Sequence, residues 1–428
     1  MPGTLPTGGR PNIVQIVMDD LGCGDLGCTG SPLIATPRMD AAAAEGLLIE
    51  QAYSAAPTCT PSRAALLTGR YAQRVGLHRV VFPEETEGLS SFERTIADVL
   101  GDVGYRCAAF GKWHLGDGPE HNPLRHGFEE FFGLPYSNDM DPLYLVDGED
   151  PVAGEVDQTL LTKQYTDRAM DFISRQGDAP FFVHLAHTFP HIPLHVEAPF
   201  RGVSEAGTYG DTVECVDHHI GRLLDHLDGL GLRESTLVVI TSDNGPWFEG
   251  STAGLRGRKI DCYEGGVRAP LIVRWPGIVP AGARSEDVVS LLDLPVTYAA
   301  LTGATMPADR PIDGIDRTAV LLGAEAPPRP PLFFCSHWDL HAVRDGRWKL
   351  HLQRIGRDRR ELPQLFDLSR DPQESYDVQT LFPDVMERLL ALAADFDDEI
   401  RSQKDEAIAR AQTRMSPAAV GRNSPVAK

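Results

Sequence analysis

The densest run of chemistry-bearing residues in this 428-residue chain is Cys59-Thr60-Pro61-Ser62-Arg63, continued by Leu67-Thr68-Gly69-Arg70. The cysteine stands just before a segment, 62–74, that reads as helix. A helix N-terminus offers free N–H groups and partial positive charge, which favour an anion or an activated nucleophile. A cysteine at a strand-to-helix turn can equally be a small buried apolar residue. Its meaning therefore rests on what else the chain carries.

Carboxylates come next. The apolar run 12–18 ends at Asp19-Asp20, and the run 237–241 ends at Ser242-Asp243-Asn244-Gly245. Open α/β sheets present ligand residues at the carboxyl ends of such strands. Adjacent acids repel unless a cation lies between them, and oxygen-only donors suit calcium or magnesium better than zinc. The same acids could serve as loop residues or helix caps.

Cations and imidazoles follow. Gly111-Lys112-Trp113-His114-Leu115-Gly116 succeeds an expected strand at 106–110. Residues two apart on an extended segment project from the same side, pairing a fixed charge with a proton that titrates near neutrality. His184, His187, His191 and His195 recur at spacings that would make a metal-binding face on a helix. Pro190 and Pro193 exclude that helix, which leaves the string Phe189-Pro190-His191-Ile192-Pro193. His184 alternates onto the other face of its strand and reads as structural. Gly257-Arg258-Lys259 adds a further cation, while Glu264 and Arg268 read as a buried pair fixing the next loop. His218, His219 and His226, on an amphipathic helix at 211–229, read as surface or packing residues.

Taken together, the acid pair, C-x-P-S-R, G-K-W-H-L-G, P-H-x-P, S-D-N-G and G-R-K stand in one order along the chain. In that order they resemble the type I, formylglycine-dependent sulfatases of the alkaline-phosphatase-like superfamily, over a span from Asp19 to about Leu368. The resemblance implies that Cys59 is oxidised to Cα-formylglycine by a separate formylglycine-generating enzyme. It implies calcium, or magnesium in its place, held by Asp19, Asp20, Asp243, Asn244 and the modified residue 59. Arg63 would stabilise the formylglycine hydrate, and Lys112 would bridge it to the sulfate. His114 would contact the second hydroxyl. His191 and Lys259 would bind sulfate and assist the leaving alcohol, with His187 in support on the substrate side, and Asp243 is a candidate base. The expected substrate is a small-molecule sulfate ester. A plain thiol would instead form a thiosulfate with poor release.

Two rivals remain. Phosphonate monoester or phosphodiester hydrolases share C-x-P-S-R, but tend to carry Asp-His where this chain has Asp243-Asn244. A non-catalytic binding protein on the same scaffold would be expected to have lost some of these residues.

The elements that must position the strings imply an α/β fold: a large, mostly parallel central sheet flanked by helices, then a small C-terminal antiparallel sheet plus helix. Strands are expected at 12–18, 46–55, 106–110, 181–185, 237–241 and 271–275, and helices at 94–102, 211–229 and 285–301. The stiff Pro327-Pro328-Arg329-Pro330-Pro331 connector divides a catalytic domain, 1–326, from a subdomain at 327–414. In the latter, strands are expected at 332–336, 341–344, 347–352 and 365–368, with a hairpin turn at Asp345-Gly346 and a helix at 385–401. The basic run 354–360 reads as a solvated loop, and 415–428 as a disordered tail. Residues 136–142, Trp247, His337 and Trp338 are candidates for specificity.

Composition sets limits. A net charge of −21 argues against a nucleic-acid binder, so an anionic substrate needs a local basic pocket, which Arg63, Lys112 and Lys259 would supply. Seven cysteines without a paired framework, no basic and apolar leader at the N-terminus and no run long enough to span a membrane point to a cytoplasmic enzyme with no membrane partner.

Overall fold

The computed structural model describes residues 10–352 and 363–412. The basic run 354–360 and the tail 415–428 lie outside them. A ten-stranded sheet is ordered β10-β2-β9-β8-β1-β7-β3-β4-β5-β6. Its strands are β1 (Asn12–Met18), β2 (Leu47–Tyr53), β3 (Arg106–Gly111), β4 (Glu130–Gly133), β5 (Val146–Asp147), β6 (Asp150–Pro151), β7 (Phe181–Ala186), β8 (Thr236–Ser242), β9 (Leu271–Arg274) and β10 (Ala283–Ser290). The centre, β8-β1-β7-β3-β4, is parallel throughout, while β9 runs against both its neighbours.

Parallel strands are buried on both faces, which is why β1 is apolar at every position but Asn12 and Gln15. Ile13 and Val17 pack into one core, and Val14, Ile16 and Met18 into another. Against the second core lie α1 (Pro37–Ala44), α5 (Leu161–Ser174) and α6 (Gly207–Gly229). Against the first lie α2 (Cys59–Thr68), α4 (Ile96–Gly101) and α8 (Asp293–Thr302), with the short α3 (Ala72–Val75), α7 (Glu264–Val267) and α9 (Thr318–Leu321) in connections. Beyond the proline connector, β11 (Leu332–Ser336), β12 (Asp339–Asp345), β13 (Trp348–His351) and β14 (Gln364–Asp367) form an antiparallel sheet in chain order, covered by α10 (Pro383–Ala411).

Several local expectations shift. Residues 285–301 are not one helix: 283–290 form the edge strand β10, paired to β2, and the helix starts at Asp293. Exposure alternates along β10 up to its β-branched Val288 and Val289, a strand pattern. The Asp293 carboxylate accepts from the Ser290 N–H at 2.9 Å and pairs with Arg329. The helix expected at 62–74 breaks at Gly69, whose φ of 70° supplies the left-handed C-cap that glycine adopts most cheaply. The β12–β13 hairpin closes through Gly346-Arg347, one residue later than Asp345-Gly346. Helix α10 runs a further ten residues beyond 401. Helices α1 and α5 and strand β4 were not anticipated.

A buried charge cluster joins the two sheets. Glu264 accepts from Lys349 Nζ of β13 at 2.9 Å, Arg268 at 3.1 Å and the Tyr53 hydroxyl at 2.5 Å. Lys349 also lies 3.3 Å from Glu374, which accepts from the Glu264 N–H at 2.7 Å. Burial opposes the charge on Glu264, but Lys349, Arg268 and Arg344 hold its carboxyl well below 4.5. Lys349→Ala would leave two buried carboxylates short of their shared cation. We expect it to cost about 3–5 kcal/mol of unfolding free energy, measured by urea titration. A depressed folded value means that the contribution of Glu264 is complete above pH 4.5 and drains away as pH falls below it. The gap between wild type and variant should therefore narrow in acid.

Candidate active site

The sheet brings the two acid pairs together. In the β1–β8 register Met18 faces Ser242, so the chain leaves both strands at one level, Asp19-Asp20 beside Asp243-Asn244. The Asp20 N–H donates to Asp243 Oδ1 at 3.2 Å, and the Asp243 N–H to the Met18 carbonyl at 3.1 Å. Helix α2 enters from β2 with Cys59 as its first residue, so that the Sγ atom lies 3.4 Å from Asp19 Oδ1 and 4.0 Å from Asp20 Oδ1. One turn later, Arg63 donates from Nε to Asp243 Oδ2 at 2.9 Å and from Nη1 to the Lys112 carbonyl at 2.9 Å. It is 1% exposed.

The remaining cations arrive on separate loops. Lys112, directly after β3, binds Asp19 Oδ2 and donates to Ser137 Oγ at 3.1 Å. Lys259 reaches Asp20 Oδ2 at 2.7 Å. His191 Nε2 lies 3.6 Å from the same oxygen, and its Nδ1 lies 3.5 Å from Ser137 Oγ. His114 pairs through Nε2 with the Val81 carbonyl at 3.1 Å, while its buried Nδ1 has no partner. The Lys259 side chain is 12% exposed and that of His191 7%, against 0–2% for Lys112, Arg63 and the acids. The site therefore opens past Lys259 and His191.

Backbone strain concentrates here. Asp20 and His114 hold φ at 63° and 61°, and the β-branched Ile260 beside Lys259 holds 84°. Each such conformation costs of order 1–3 kcal/mol and persists where the surroundings over-determine it, as functional sites do.

Electrostatics explains the pairing. Asp19, Asp20 and Asp243 oppose Arg63, Lys112 and Lys259, a balanced set. Burial disfavours the Asp19 carboxylate, yet Lys112, His191, Arg63 and Lys259 hold it well below the usual carboxylate range. Asp243 is pushed up to about 6 by burial and by the neighbouring Asp19 charge. Burial and Asp19 push the Cys59 thiol far up, so the unmodified side chain is a protonated, weak nucleophile. Burial, with Lys112 and Arg63, keeps His114 neutral.

These residues fit a hard cation. Asp19, Asp20, Cys59 and His191 place donor atoms within 4.8 Å of one another. Asn244 donates to Asp20 Oδ1 at 2.7 Å, leaving its own Oδ1 buried with no partner, an oxygen donor to spare. Oxygen-rich donors of this kind suit calcium or magnesium.

Not every expected residue joins the group. His187 is fully buried, neither ring nitrogen has a partner, and burial pulls its pKa down to about 3, so it stays neutral. His184 pairs with Gln15 Nε2 at 3.0 Å inside the sheet. His337 and Trp338 pack on His78, with ring centroids 6.3 and 4.8 Å away. Conversely, Ser137 is a site residue singled out in sequence only as part of the 136–142 stretch. It ties Lys112 to His191, and the one clue was its place shortly after β4, itself unanticipated. Ser137→Ala should lower kcat by about 10–100-fold through a lost charged hydrogen bond of about 1.5–3 kcal/mol. Steady-state kinetics on a sulfate ester checks it.

Comparison with known proteins agrees. The sequence model of the Sulfatase family matches residues 11–304. Human N-acetylgalactosamine-6-sulfatase is 35% identical, with 95% of this chain and 88% of that protein covered. Human arylsulfatase A is 36% identical, covering 93% and 89%. Among solved structures, a sulfatase from Pseudoalteromonas sp. superposes with a TM-score of 0.83 at 28% identity, over 96% of this chain and 93% of that one. The chain belongs to the sulfatase family, sulfuric ester hydrolases built on the alkaline-phosphatase-like fold.

Proposed function

We propose that this sulfatase cleaves a small sulfate ester to alcohol and sulfate, using residue 59 as formylglycine and a divalent hard cation, calcium or magnesium. The observation that carries this reading is the placement of Cys59 at a helix N-terminus, 3.4 Å from Asp19 and ringed by Arg63, Lys112 and Lys259. Asp19, Asp20, Asp243 and Asn244 would hold the cation, whose charge offsets that of the attacking oxygen. When present, a formylglycine hydrate supplies two hydroxyls on one carbon, one to attack sulfur and one to expel sulfate as the carbonyl re-forms.

The chain's own residues then divide the work. Lys112 and Lys259 neutralise the sulfate oxygens, as a phosphoryl group is neutralised in the analogous transfer, and His191, held neutral by burial, hydrogen-bonds them. Lys259, at the open side with His191, protonates the departing alcohol. His114 Nδ1, buried without a partner, takes the proton of the second hydroxyl. Asp243 receives the proton of the attacking one, and Arg63 orients both Asp243 and residue 59. The two sulfatase relatives at 35–36% identity favour sulfate over phosphonate as the group transferred.

Conversion requires a formylglycine-generating enzyme as partner. All seven cysteines are free, which supports a reducing, cytoplasmic setting. The test is the mass of the peptide bearing residue 59, from chain co-produced with that enzyme, followed by rates on aryl sulfates, sugar 6-sulfates and a phosphonate monoester. An aldehyde or hydrate with sulfate-ester turnover is the expected outcome. Unmodified cysteine beside a converted control, or faster phosphonate cleavage, would overturn it.

A further inference from the structure

Among the described residues, one other group besides the active site brings metal-type donors together: Glu197, Cys215 and His219, all within 4.8 Å of one another. Cys215 and His219 are four apart on α6 and so share a face. Glu197 lies in the loop after β7, with Oε1 2.5 Å from His219 Nε2 and 3.9 Å from Cys215 Sγ. Cys215 and His219 are 2% and 3% exposed.

We propose that Cys215, His219 and Glu197 form a zinc site distinct from the active centre, with water in the fourth position. One thiolate, one imidazole and one carboxylate are a borderline-soft donor set, unlike the oxygen-rich set around Asp19, and zinc accepts three protein ligands with water in the fourth position. Uptake requires two proton movements. The Cys215 thiol releases its proton to solvent. Arg222 Nη1 now donates to His219 Nδ1 at 2.9 Å, which places the ring proton on Nε2 facing Glu197. That proton shifts to Nδ1, and Arg222 turns wholly onto Asp167, already 2.7 Å from Nη2. One proton is therefore lost per ion bound, and binding strengthens as pH rises. The consequence is mechanical: the ion staples Glu197, in the loop that also carries His191, to α6.

The experiment uses the full chain with Ala at position 59, so that this thiol cannot contribute, in excess Ca²⁺ to occupy the acid centre. After exposure to Zn²⁺ and desalting, we expect one retained equivalent and a higher Tm. Co²⁺ should give a thiolate-to-metal absorption band. Cys215→Ser should abolish that band, and Glu197→Gln should weaken retention by at least about tenfold. His218→Gln, outside the donor set, should change neither. A parent chain that retains no zinc, or a cobalt band that survives Cys215→Ser, would overturn the site. The parent's own zinc count decides even where a variant fails to fold, and it is independent of whether residue 59 is converted.

Discussion

Alanine at position 59 is expected to lower kcat/KM for any sulfate ester the chain cleaves by on the order of 10⁵–10⁶-fold, the scale on which removal of a covalent nucleophile acts. The argument starts from the thiol itself. Cys59 is 2% exposed and its carboxylate neighbour Asp19 lies 3.4 Å away, so burial and that charge both keep the proton on sulfur. An unmodified thiol there is a poor nucleophile, and unconverted chain should be almost as inactive as Cys59→Ala. Alanine keeps the helix-starting position and removes one buried sulfur, so little stability is at stake compared with activity. The measurement is a rate on an aryl sulfate for three proteins: converted chain, unconverted chain and Cys59→Ala, each checked for native circular dichroism. Residual activity in the alanine variant above about a hundredth of the converted chain would sink the assignment of residue 59 as nucleophile.

What the sequence made legible is the set of strand ends and loops, because each motif is a local string whose backbone is punctuated by Gly, Pro or Asp. Asp19-Asp20 and Asp243-Asn244 could each be read as ligands after an apolar run, since a strand buried on both faces announces itself. That they meet depends on β8 lying beside β1, a pairing between segments more than 200 residues apart that no local pattern encodes. Ser137 was hidden for the same reason: its value is its distance to Lys112 and His191, not its neighbours. His187 failed in the opposite sense. Four residues from His191 it looks like part of one cluster, but its N–H continues the pairing with β1 at the Val17 carbonyl, 2.8 Å away, and its buried ring bonds to no residue of the site. The helix expected at 285–301 shows the limit of periodicity, since a half-exposed edge strand and an amphipathic helix share apolar positions over so short a run.

Stripping the hard cation proposed for the acid centre is expected to cost at least about 10³-fold in kcat/KM, and to raise KM as well as lower kcat. Lewis-acid stabilisation alone accounts for several kcal/mol, and 4 kcal/mol is roughly 10³-fold. The structure adds a second loss. Three carboxylates and three basic side chains are balanced, and the basic ones are engaged: Lys259 with Asp20 at 2.7 Å, Lys112 with Asp19, Arg63 with Asp243 at 2.8 Å. A dication added to this set leaves two positive charges in excess, enough for one ester anion and one deprotonating hydroxyl, and releases the lysines toward sulfate. Without it the same lysines are recaptured by Asp20 and Asp19 at low dielectric, where such pairs are strong. Sulfate affinity must then fall together with the rate. The readout is kcat and KM measured separately on chelator-treated converted chain, then after Ca²⁺ or Mg²⁺ is restored. Asp20→Asn sharpens the test, because it weakens the cation's site yet frees Lys259. Under the recapture argument its KM should rise less than that of the chelated chain, although kcat falls as far. If chelation lowers kcat alone and leaves KM unchanged, the lysines are not competing with sulfate for the acids, and their role in binding it must be reassigned.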